Sequence, residues 1–420
     1  MQNNQTISRK SYALPIAMMF ALLFLIAFVT NLAGSMGVIL KNQFETSNAV
    51  SQLGTFANFL AYAFMGVPAG IILKRKGYKF TSLLAIAVGI AGVGIQCLSG
   101  VAGSFAVYVA GAFVAGFSMC MLNVVAMPML NTLGGGGNKG NSFIQFGNTF
   151  NSVGGTITPI LVGYLVGDFA TAQIADAYPA MYIAMGVFAL AFVVIALNKI
   201  PEPHLQSAKE REDEKKQPKD KYSPLSFRHF VLGAIAIFFY VGIENGIPNT
   251  ANLYISEVVN PAVAGSVIGV YWFLMMCGRF IGAAVGSFIS SKNMLAGVAT
   301  LGIILVLCAL LVPDTAQINL FRAELPLSML FIPLCGLATS VMFGGIFNLS
   351  TEGLGKYTPV ASGIYMALVC GGGVIPVLQN YLADHFGAVQ SYWIVVLCLL
   401  YILWYALSGC KNVNKNIPVD

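Results

Sequence analysis

The sequence predicts an all-α membrane protein whose twelve transmembrane helices form two pseudo-symmetric six-helix bundles. Three observations lead to this prediction: the composition is strongly apolar, the apolar residues fall into twelve long stretches, and one charged segment divides those stretches six and six. Hydrophobic residues make up 57% of the 420 residues and charged residues only 9%. A soluble domain carries about 25% charged residues, so this chain is expected to place most of its surface in lipid.

Each predicted transmembrane helix is an apolar stretch of at least roughly the 20 residues that cross the hydrocarbon core of a bilayer. The twelve stretches are 14–40, 50–73, 81–100, 104–132, 143–166, 178–199, 228–256, 262–288, 292–313, 326–349, 359–384 and 388–409. Residues 1–11 are polar and the first apolar stretch is long enough to span, so we predict a membrane anchor there and not a cleaved signal peptide.

One long hydrophilic segment, residues 201–226, separates the first six stretches from the last six. It carries a run of mixed charges at residues 210–216 between prolines, which predicts a solvated cytoplasmic linker. We therefore predict an N-terminal six-helix bundle over residues 1–200 and a C-terminal six-helix bundle over residues 227–420.

A faint internal repeat suggests that the two bundles are related by duplication. Met121 precedes Leu133 near the end of the fourth stretch by the same spacing as Met342 precedes Leu354 near the end of the tenth. Two similar bundles that flank a midplane site can rock against each other. The alternative is that matching small residues in the two parts only let helices pack closely.

The distribution of positive charge predicts the orientation in the membrane. With both termini in the cytoplasm, all but three of the 22 Lys and Arg residues fall in cytoplasmic segments, the exceptions being Lys41, Arg279 and Arg322. We predict a multi-pass protein of the inner (cytoplasmic) membrane with cytoplasmic termini. The net charge of +6 is then explained by basic residues that orient the protein in the membrane. No nucleic-acid partner is expected.

Residues that carry enzymatic or metal chemistry do not form a recognisable pattern. The eight cysteines lie within or at the ends of the apolar stretches without a CxxC pair, which favours small core residues over disulfides or metal ligands. His204, His229 and His385 lie outside the stretches or at their ends, and no HExxH, GxSxG or P-loop motif is present. We predict no catalytic residue, no metal and no cofactor.

Glu244 is the acidic residue that lies in the middle of an apolar stretch, within residues 238–246. Holding a carboxylate in hydrocarbon costs roughly 2.5–3.5 kcal/mol on the mildest scales, so we expect Glu244 to face protein or water and to take part in transport. Unpaired and desolvated, it would bind and release a proton in each cycle. Paired with Arg279, the base within a predicted span, it would form a structural bridge. Both are candidate proton-coupling residues.

Neutral amide side chains are frequent within the predicted spans. Amides carry paired donors and acceptors, which suits a ligand bearing several hydroxyl groups. The mid-span amides predicted to bind substrate are Asn31, Asn123, Asn148, Asn151, Asn245 and Gln379. Tyr240, Tyr271 and Trp272 are candidates for stacking on a sugar ring. The alternative is that an amide ties two helices together, which contributes only about 0.6 kcal/mol per pair.

A basic loop after the second span resembles the loop signature of the major facilitator superfamily, with Lys74 where the superfamily usually has Asp. Its signature residues are Gly70, Lys74, Arg75, Gly77 and Lys79. Basic side chains there are expected to bond carbonyls or a carboxylate at the cytoplasmic helix ends. Further segments are similar to the fucose-galactose-glucose:proton symporter family within that superfamily, namely residues 148–154, 239–244, 278–282, 352–358 and 371–379.

The resemblance implies a sugar transporter of the major facilitator fold. Such a protein imports a monosaccharide, a hexose or deoxyhexose, together with a proton by alternating access, as a monomer in the lipid bilayer. Asn151 matches the family's fifth-helix amide near the sugar, whereas the family's two coupling carboxylates fall on Gly34 and Asn123. An uncoupled sugar facilitator, or a carrier of another neutral solute such as a nucleoside, therefore stays open.

Overall fold

The computed structural model describes residues 12–134, 137–167, 171–202, 205, 222–285, 289–313, 316–320, 323–414 and 416–419. Over these residues the protein is almost entirely α-helical, with one short β-hairpin. We call the helices before the linker the N-terminal half and those after it the C-terminal half. Most of the predicted linker lies outside the described residues.

The N-terminal half contains four long helices, one very long helix and two short elements. Its helices are α1 (Ala13–Phe44), α2 (Asn48–Ser51), α3 (Leu53–Ala102), α4 (Phe105–Leu133), α5 (Gly137–Val166) and α6 (Tyr178–Leu197), with a 3₁₀ turn at Ile174–Ala177 before α6.

The C-terminal half contains three long helices followed by shorter helices, several of which follow one another after only a few residues. Its helices are α7 (Arg228–Val258), α8 (Pro261–Val285), α9 (Ser291–Leu311), α10 (Ser328–Thr339), α11 (Met342–Thr351), α12 (Thr358–Leu368), α13 (Gly371–Phe386) and α14 (Trp393–Trp404), with 3₁₀ turns at Pro224–Ser226, Gly355–Tyr357 and Gln390–Tyr392 and a π-helical end at Tyr405–Gly409. Strands β1 (Gln317–Leu320) and β2 (Ala323–Pro326) pair antiparallel, with Gln317 opposite Pro326.

The helices of the described residues provide twelve segments that can cross a membrane, as the sequence predicts. Ten helical segments of the described chain are long and apolar enough to span a bilayer. One of them, α3, has 50 residues and would extend about 75 Å, far more than the roughly 30 Å hydrocarbon core. Gly77, at φ 86° and ψ 176°, divides α3 into two crossings. The more polar α5 supplies a further crossing beyond the ten.

The two halves meet along two sets of helices. α5 packs on α8, and the first crossing of α3 packs on α12 and α13. Glycines permit this close approach: a Cβ on Gly373 would lie 2.8 Å from the Cα of Phe56, and a Cβ on Gly265 would lie 3.1 Å from the carbonyl oxygen of Pro159. Small residues thus allow backbones of opposite halves to touch.

Polar contacts join the two halves at one end of the bundle. We call the end at which α1 and α7 finish the outer end, and the end at which α7 begins the inner end. At the outer end Lys41 forms an ion pair with Glu257. Asp384 accepts hydrogen bonds from the backbone N–H groups of Asn48 and Ala49 at 3.1 and 3.0 Å. We call these five residues the outer clasp.

Gly371 provides a test of how tightly α13 is packed against α7. A Cβ at this position would overlap the backbone carbonyl oxygen of Phe238. We expect Gly371→Ala to destabilise the protein by about 1–3 kcal/mol, the usual cost of overpacking, in thermal unfolding followed in detergent. Gly297→Ala in α9 is the matched control, because no atom lies within 4 Å of the new methyl group. Equal melting temperatures for the two variants would contradict the close approach.

Candidate functional site

A chamber lies between the two halves in the middle of the bundle. Its walls come from α1, α3, α4 and α5 of the N-terminal half and from α7, α8, α11 and α12 of the C-terminal half, and it encloses about 720 Å³ outside the protein atoms, including its open mouth. Because both halves contribute walls, any movement of one half against the other reshapes this space.

Most residues that the sequence predicts to form the site line this chamber. They are Asn31, Asn123, Asn148, Asn151 and Asn245 among the predicted amides, and both Glu244 and Arg279. They come from five different helices, so only the tertiary structure brings them together. The lining also includes residues that sequence reasoning did not select: Ile26, Ala27, Thr30, Phe59, Tyr62, Met127, Val241, Phe343, Met366 and Val369.

Three asparagines of the chamber donate from their side-chain nitrogens to backbone carbonyl oxygens. Asn31 and Asn245 each donate from Nδ2 to the carbonyl oxygen four residues earlier, both at 2.9 Å. Asn151 Nδ2 donates to the carbonyl oxygen of Leu23 at 3.0 Å. Because each nitrogen faces a carbonyl oxygen, the amide orientation is set. None of these three Oδ1 atoms accepts a hydrogen bond from a described residue, so each can accept one from a ligand hydroxyl.

Asn123 lies on α4, at the position where the sequence resemblance leads one to expect a glutamate. Its Nδ2 donates to the hydroxyl of Tyr62 at 3.0 Å and to the carbonyl oxygen of Met119 at 3.1 Å. Gly34, at the other replaced position, lies close to the side chain of Asn249, whose Oδ1 would be 2.9 Å from a Cβ there. Amide groups therefore stand at Asn123 and beside Gly34, the two positions at which the sequence resemblance leads one to expect carboxylates.

Arg279 connects the two halves and pairs with Glu244. Its Nη2 donates to Glu244 Oε1 at 3.1 Å, and its Nη1 donates to the carbonyl oxygen of Asn148 at 2.7 Å and to Ser152 Oγ at 2.6 Å. Its Nε donates to the carbonyl oxygen of Ser340 at 3.4 Å. Glu244 and Ser340 belong to the C-terminal half, whereas Asn148 and Ser152 belong to α5. The pairing that the sequence left as one of two alternatives is thus present.

The three aromatic candidates have different positions. Trp272 lines the chamber, and its indole N–H has no hydrogen-bond partner within the described ranges. Tyr271 is buried behind the chamber, where its hydroxyl donates to the carbonyl oxygen of Glu244 at 3.1 Å. Tyr240 is fully buried and is not part of the lining. Trp272 is therefore the candidate that can stack on a ligand.

Gln379 is the predicted substrate residue that the structure places outside the chamber. Its side chain is fully buried beside Gly246 of α7. A Cβ added at Gly246 would lie 2.5 Å from Gln379 Oε1. Neither its Oε1 nor its Nε2 has a hydrogen-bond partner in the described part of the chain. The position of Gln379 within its apolar stretch predicts its depth in the membrane. The packing of α13 on α7 directs its side chain away from the chamber.

The basic loop lies at the inner end, where the chain turns at Gly77. The carboxylate of Glu202 accepts hydrogen bonds from the backbone N–H groups of Tyr78 and Lys79. Lys79 Nζ donates to the carbonyl oxygens of Ala196 and Asn198 at 2.7 and 3.0 Å, at the end of α6. An anion is favoured at a helix N-terminus and a cation at a C-terminus.

Sequence reasoning did not select Glu202. The signal that points to it is Lys74, at the loop position where the sequence resemblance leads one to expect an acid. In the structure an acid from the start of the linker, Glu202, binds at the N-terminus of the helical segment that follows the loop. No atom lies within 4 Å of a Cβ added at Gly70. Lys74 and Arg75 are exposed at the inner end.

Comparison with known proteins identifies relatives along nearly the whole chain. A family model described as Major Facilitator Superfamily matches residues 18–377. The glucose/galactose transporter of Brucella abortus biovar 1 (strain 9-941) is 31% identical over 423 residues, which cover 98% of this chain and 97% of that protein. The L-fucose-proton symporter of Escherichia coli (strain K12) is 23% identical over 422 residues, covering 94% and 93%.

Solved structures share the fold. The crystal structure of the E. coli fucose:proton symporter superposes with a TM-score of 0.69 at 20% identity, covering 96% of this chain and 100% of that chain. A D-xylose-proton symporter superposes with a TM-score of 0.68 at 15% identity, covering 97% and 98%. This chain therefore shares its overall fold with these proteins.

Proposed function

Because the chain belongs to the Major Facilitator Superfamily, we propose that it imports a monosaccharide, a hexose or deoxyhexose, together with a proton by alternating access. Membership of this superfamily makes it a membrane carrier and not an enzyme. The observation that carries the choice of cargo is the chamber, in which asparagine oxygens from both halves surround one ion pair. The names of the related glucose/galactose and fucose transporters support the same cargo.

The chamber is suited to a neutral solute with several hydroxyl groups. Glu244 and Arg279 neutralise each other, so no uncompensated charge is available for an anionic or cationic cargo. Amide oxygens accept from hydroxyl groups, and Trp272 and Phe59 offer apolar surface to the C–H face of a sugar ring. Both halves hold the solute, so its binding favours the state in which they close around it.

The position of Arg279 supports proton coupling through Glu244. This arginine bonds Glu244 in its own half and Asn148 and Ser152 in the other. When the halves separate at this level, the guanidinium loses its partners on α5, and its position relative to Glu244 changes. The proton affinity of Glu244 then differs between the two open states, which is the condition for coupling. An uncoupled facilitator is the alternative if Glu244 stays ionised throughout.

The membrane location and orientation belong to the same proposal. We place the protein as a monomer in an inner membrane. We assign both termini to the cytoplasm because Lys74, Arg75 and Lys76 lie exposed at the inner end and positive charge favours the cytoplasmic side. Arg322, one of the three exceptions, lies outside the described residues. The bundles at residues 1–200 and 227–420, joined by residues 201–226, remain part of the proposal.

Thermal unfolding of the purified protein with a panel of solutes tests the cargo. A bound ligand stabilises the folded state in proportion to its occupancy, so D-glucose, D-galactose or L-fucose is expected to raise the melting temperature. Uptake of the stabilising sugar into proteoliposomes should then exceed equilibrium under an inward proton gradient. A shift with nucleosides alone would refute the sugar proposal and leave the fold assignment intact.

Asn31 tests whether chamber amides contact the solute. Replacing it with leucine removes the oxygen acceptor, and we expect the KM for sugar to rise about tenfold, which corresponds to about 1.4 kcal/mol. Asn198→Leu is a matched control, because Asn198 Nδ2 also donates to the carbonyl oxygen four residues earlier, at 2.7 Å, but at the inner end of α6. Uptake kinetics in proteoliposomes give both values. An equal KM for the two variants would count against the assigned chamber.

A further inference from the structure

A second group of amides lies between the chamber and the outer end, and the proposed transport step does not use it. We call Gln52, Asn249 and Gln379 the outer amide layer. Asn249 follows Asn245 by about one turn of α7 and lies beside Gly34 of α1. Polar groups therefore continue beyond the chamber toward the outer end, where apolar packing would otherwise be expected.

Gln52 and Gln379 stand at the start of, or within, helices that meet at the interface of the two halves. Along this interface α3 and α13 are antiparallel: Gly373 approaches Phe56, and further toward the outer end Asp384 bonds the backbone N–H groups at the start of α2. Gln52 and Gln379 both lie between these two contacts. Gln52 belongs to the N-terminal half and Gln379 to the C-terminal half, so the layer separates into two walls when the outer end opens.

These side chains are buried with hydrogen-bonding capacity to spare. Gln379 is 0% exposed and Gln52 is 1% exposed. Considering the residues that the structure describes, Oε1 and Nε2 of Gln379 and Oε1 of Gln52 have no hydrogen-bond partner. Buried amides are normally paired, and an unpaired one is costly. Three such atoms at one level of a moving interface indicate groups that find their partners in another state of the protein.

Glycines make room for the amides. Gln52 Nε2 would lie 2.6 Å from a Cβ on Gly37, and Gln379 Oε1 would lie 2.5 Å from a Cβ on Gly246. A larger residue at either glycine would expel the amide from its place. The amides thus rest against helices α1 and α7, which also carry Asn31 and Asn245 of the chamber.

We propose that the outer amide layer is a second binding subsite, which receives the hydroxyl groups of the solute when the outer end is open, before the solute reaches the chamber. The proposal rests on the proposed function, since it assigns the same neutral polyhydroxylated cargo. Each glutamine offers a donor and an acceptor, which match neighbouring hydroxyl groups of a sugar. Asn249, about one turn of α7 beyond Asn245, is the member of this layer that adjoins α1, at Gly34. The outer clasp closes the entrance beyond the layer.

Inhibition of uptake by deoxy sugars tests the subsite. In right-side-out vesicles, D-galactose and its 2-, 3-, 4- and 6-deoxy analogues are compared as inhibitors of labelled D-galactose uptake for the wild type and for Gln379→Leu. A hydroxyl group that bonds Gln379 makes its deoxy analogue a weaker inhibitor of the wild type, by about fivefold or more. We expect Gln379→Leu to lose this discrimination for at least one position.

Further measurements distinguish direct sugar binding by the outer amide layer from an effect on the opening and closing of the bundle. Gln52→Leu repeats the test on the opposite half and serves if Gln379→Leu does not fold. Gln96→Leu is the matched control, because Gln96 is also buried but packs on Gly111 within the N-terminal half. If a leucine variant changes the inhibition constants of all five sugars by one common factor, the glutamine acts only on the conformational equilibrium. The subsite proposal is then overturned. If the wild type transports no monosaccharide, the proposed function itself fails.

Discussion

Glu244→Gln is expected to abolish proton-driven accumulation of sugar while exchange of sugar across the membrane continues. Glutamine resembles the protonated glutamic acid and can still accept a hydrogen bond from Arg279, so the chamber keeps its shape. It cannot release a proton to the cytoplasm, so the proton gradient no longer drives uptake. Uptake into proteoliposomes under an acid-outside gradient should stop at the equilibrium level, whereas counterflow of labelled sugar should persist.

Glu324→Gln is the control for this experiment, because Glu324 is an exposed carboxylate of the same half, on β2. It should accumulate sugar like the wild type. If Glu244→Gln also accumulates sugar against a gradient, Glu244 does not carry the coupled proton. If accumulation and counterflow are both lost, the pair of Glu244 with Arg279 is a structural bridge, the other alternative that the sequence left open.

Arg279→Met is expected to have the largest effect on stability among substitutions in the chamber. Removing one partner of a buried ion pair costs about 3–5 kcal/mol, because the other charge is left without compensation. The substitution also removes the donors to Asn148 and Ser152, which connect the halves. We expect a strongly lowered melting temperature and loss of transport in proteoliposomes.

The double variant Glu244→Gln/Arg279→Met separates the two contributions. If the uncompensated carboxylate causes most of the loss, the double variant should melt well above Arg279→Met alone, although it remains unable to accumulate sugar. Lys411→Met, at an exposed position, controls for the loss of a positive charge and should melt like the wild type. A double variant as unstable as the single one would assign the cost to the lost bonds with α5.

The sequence identified most of the chamber because the bilayer makes polar side chains conspicuous. An asparagine at mid-span, such as Asn31 or Asn245, has few reasons to be there other than a ligand, water or another helix. Depth follows from the position within the apolar stretch, and five of the six predicted amides lie at the chamber. Depth alone does not give the direction in which a side chain points. For that reason the sequence predicts Gln379 at the chamber, whereas in the structure its side chain lies against α7.

By itself, the chain's pattern of apolar stretches and basic loops determined the number of crossings and the mid-membrane polar residues, because hydrocarbon tolerates neither charges nor unpaired backbone. Only the tertiary structure decided the partners of those residues. Arg279 reaches Ser152 more than a hundred residues away, Glu202 binds the backbone at Tyr78, and aromatic residues such as Phe59 line the chamber without any polar signal in the sequence. Such contacts depend on the rotation and close approach of packed helices, which the order of residues along one helix does not specify.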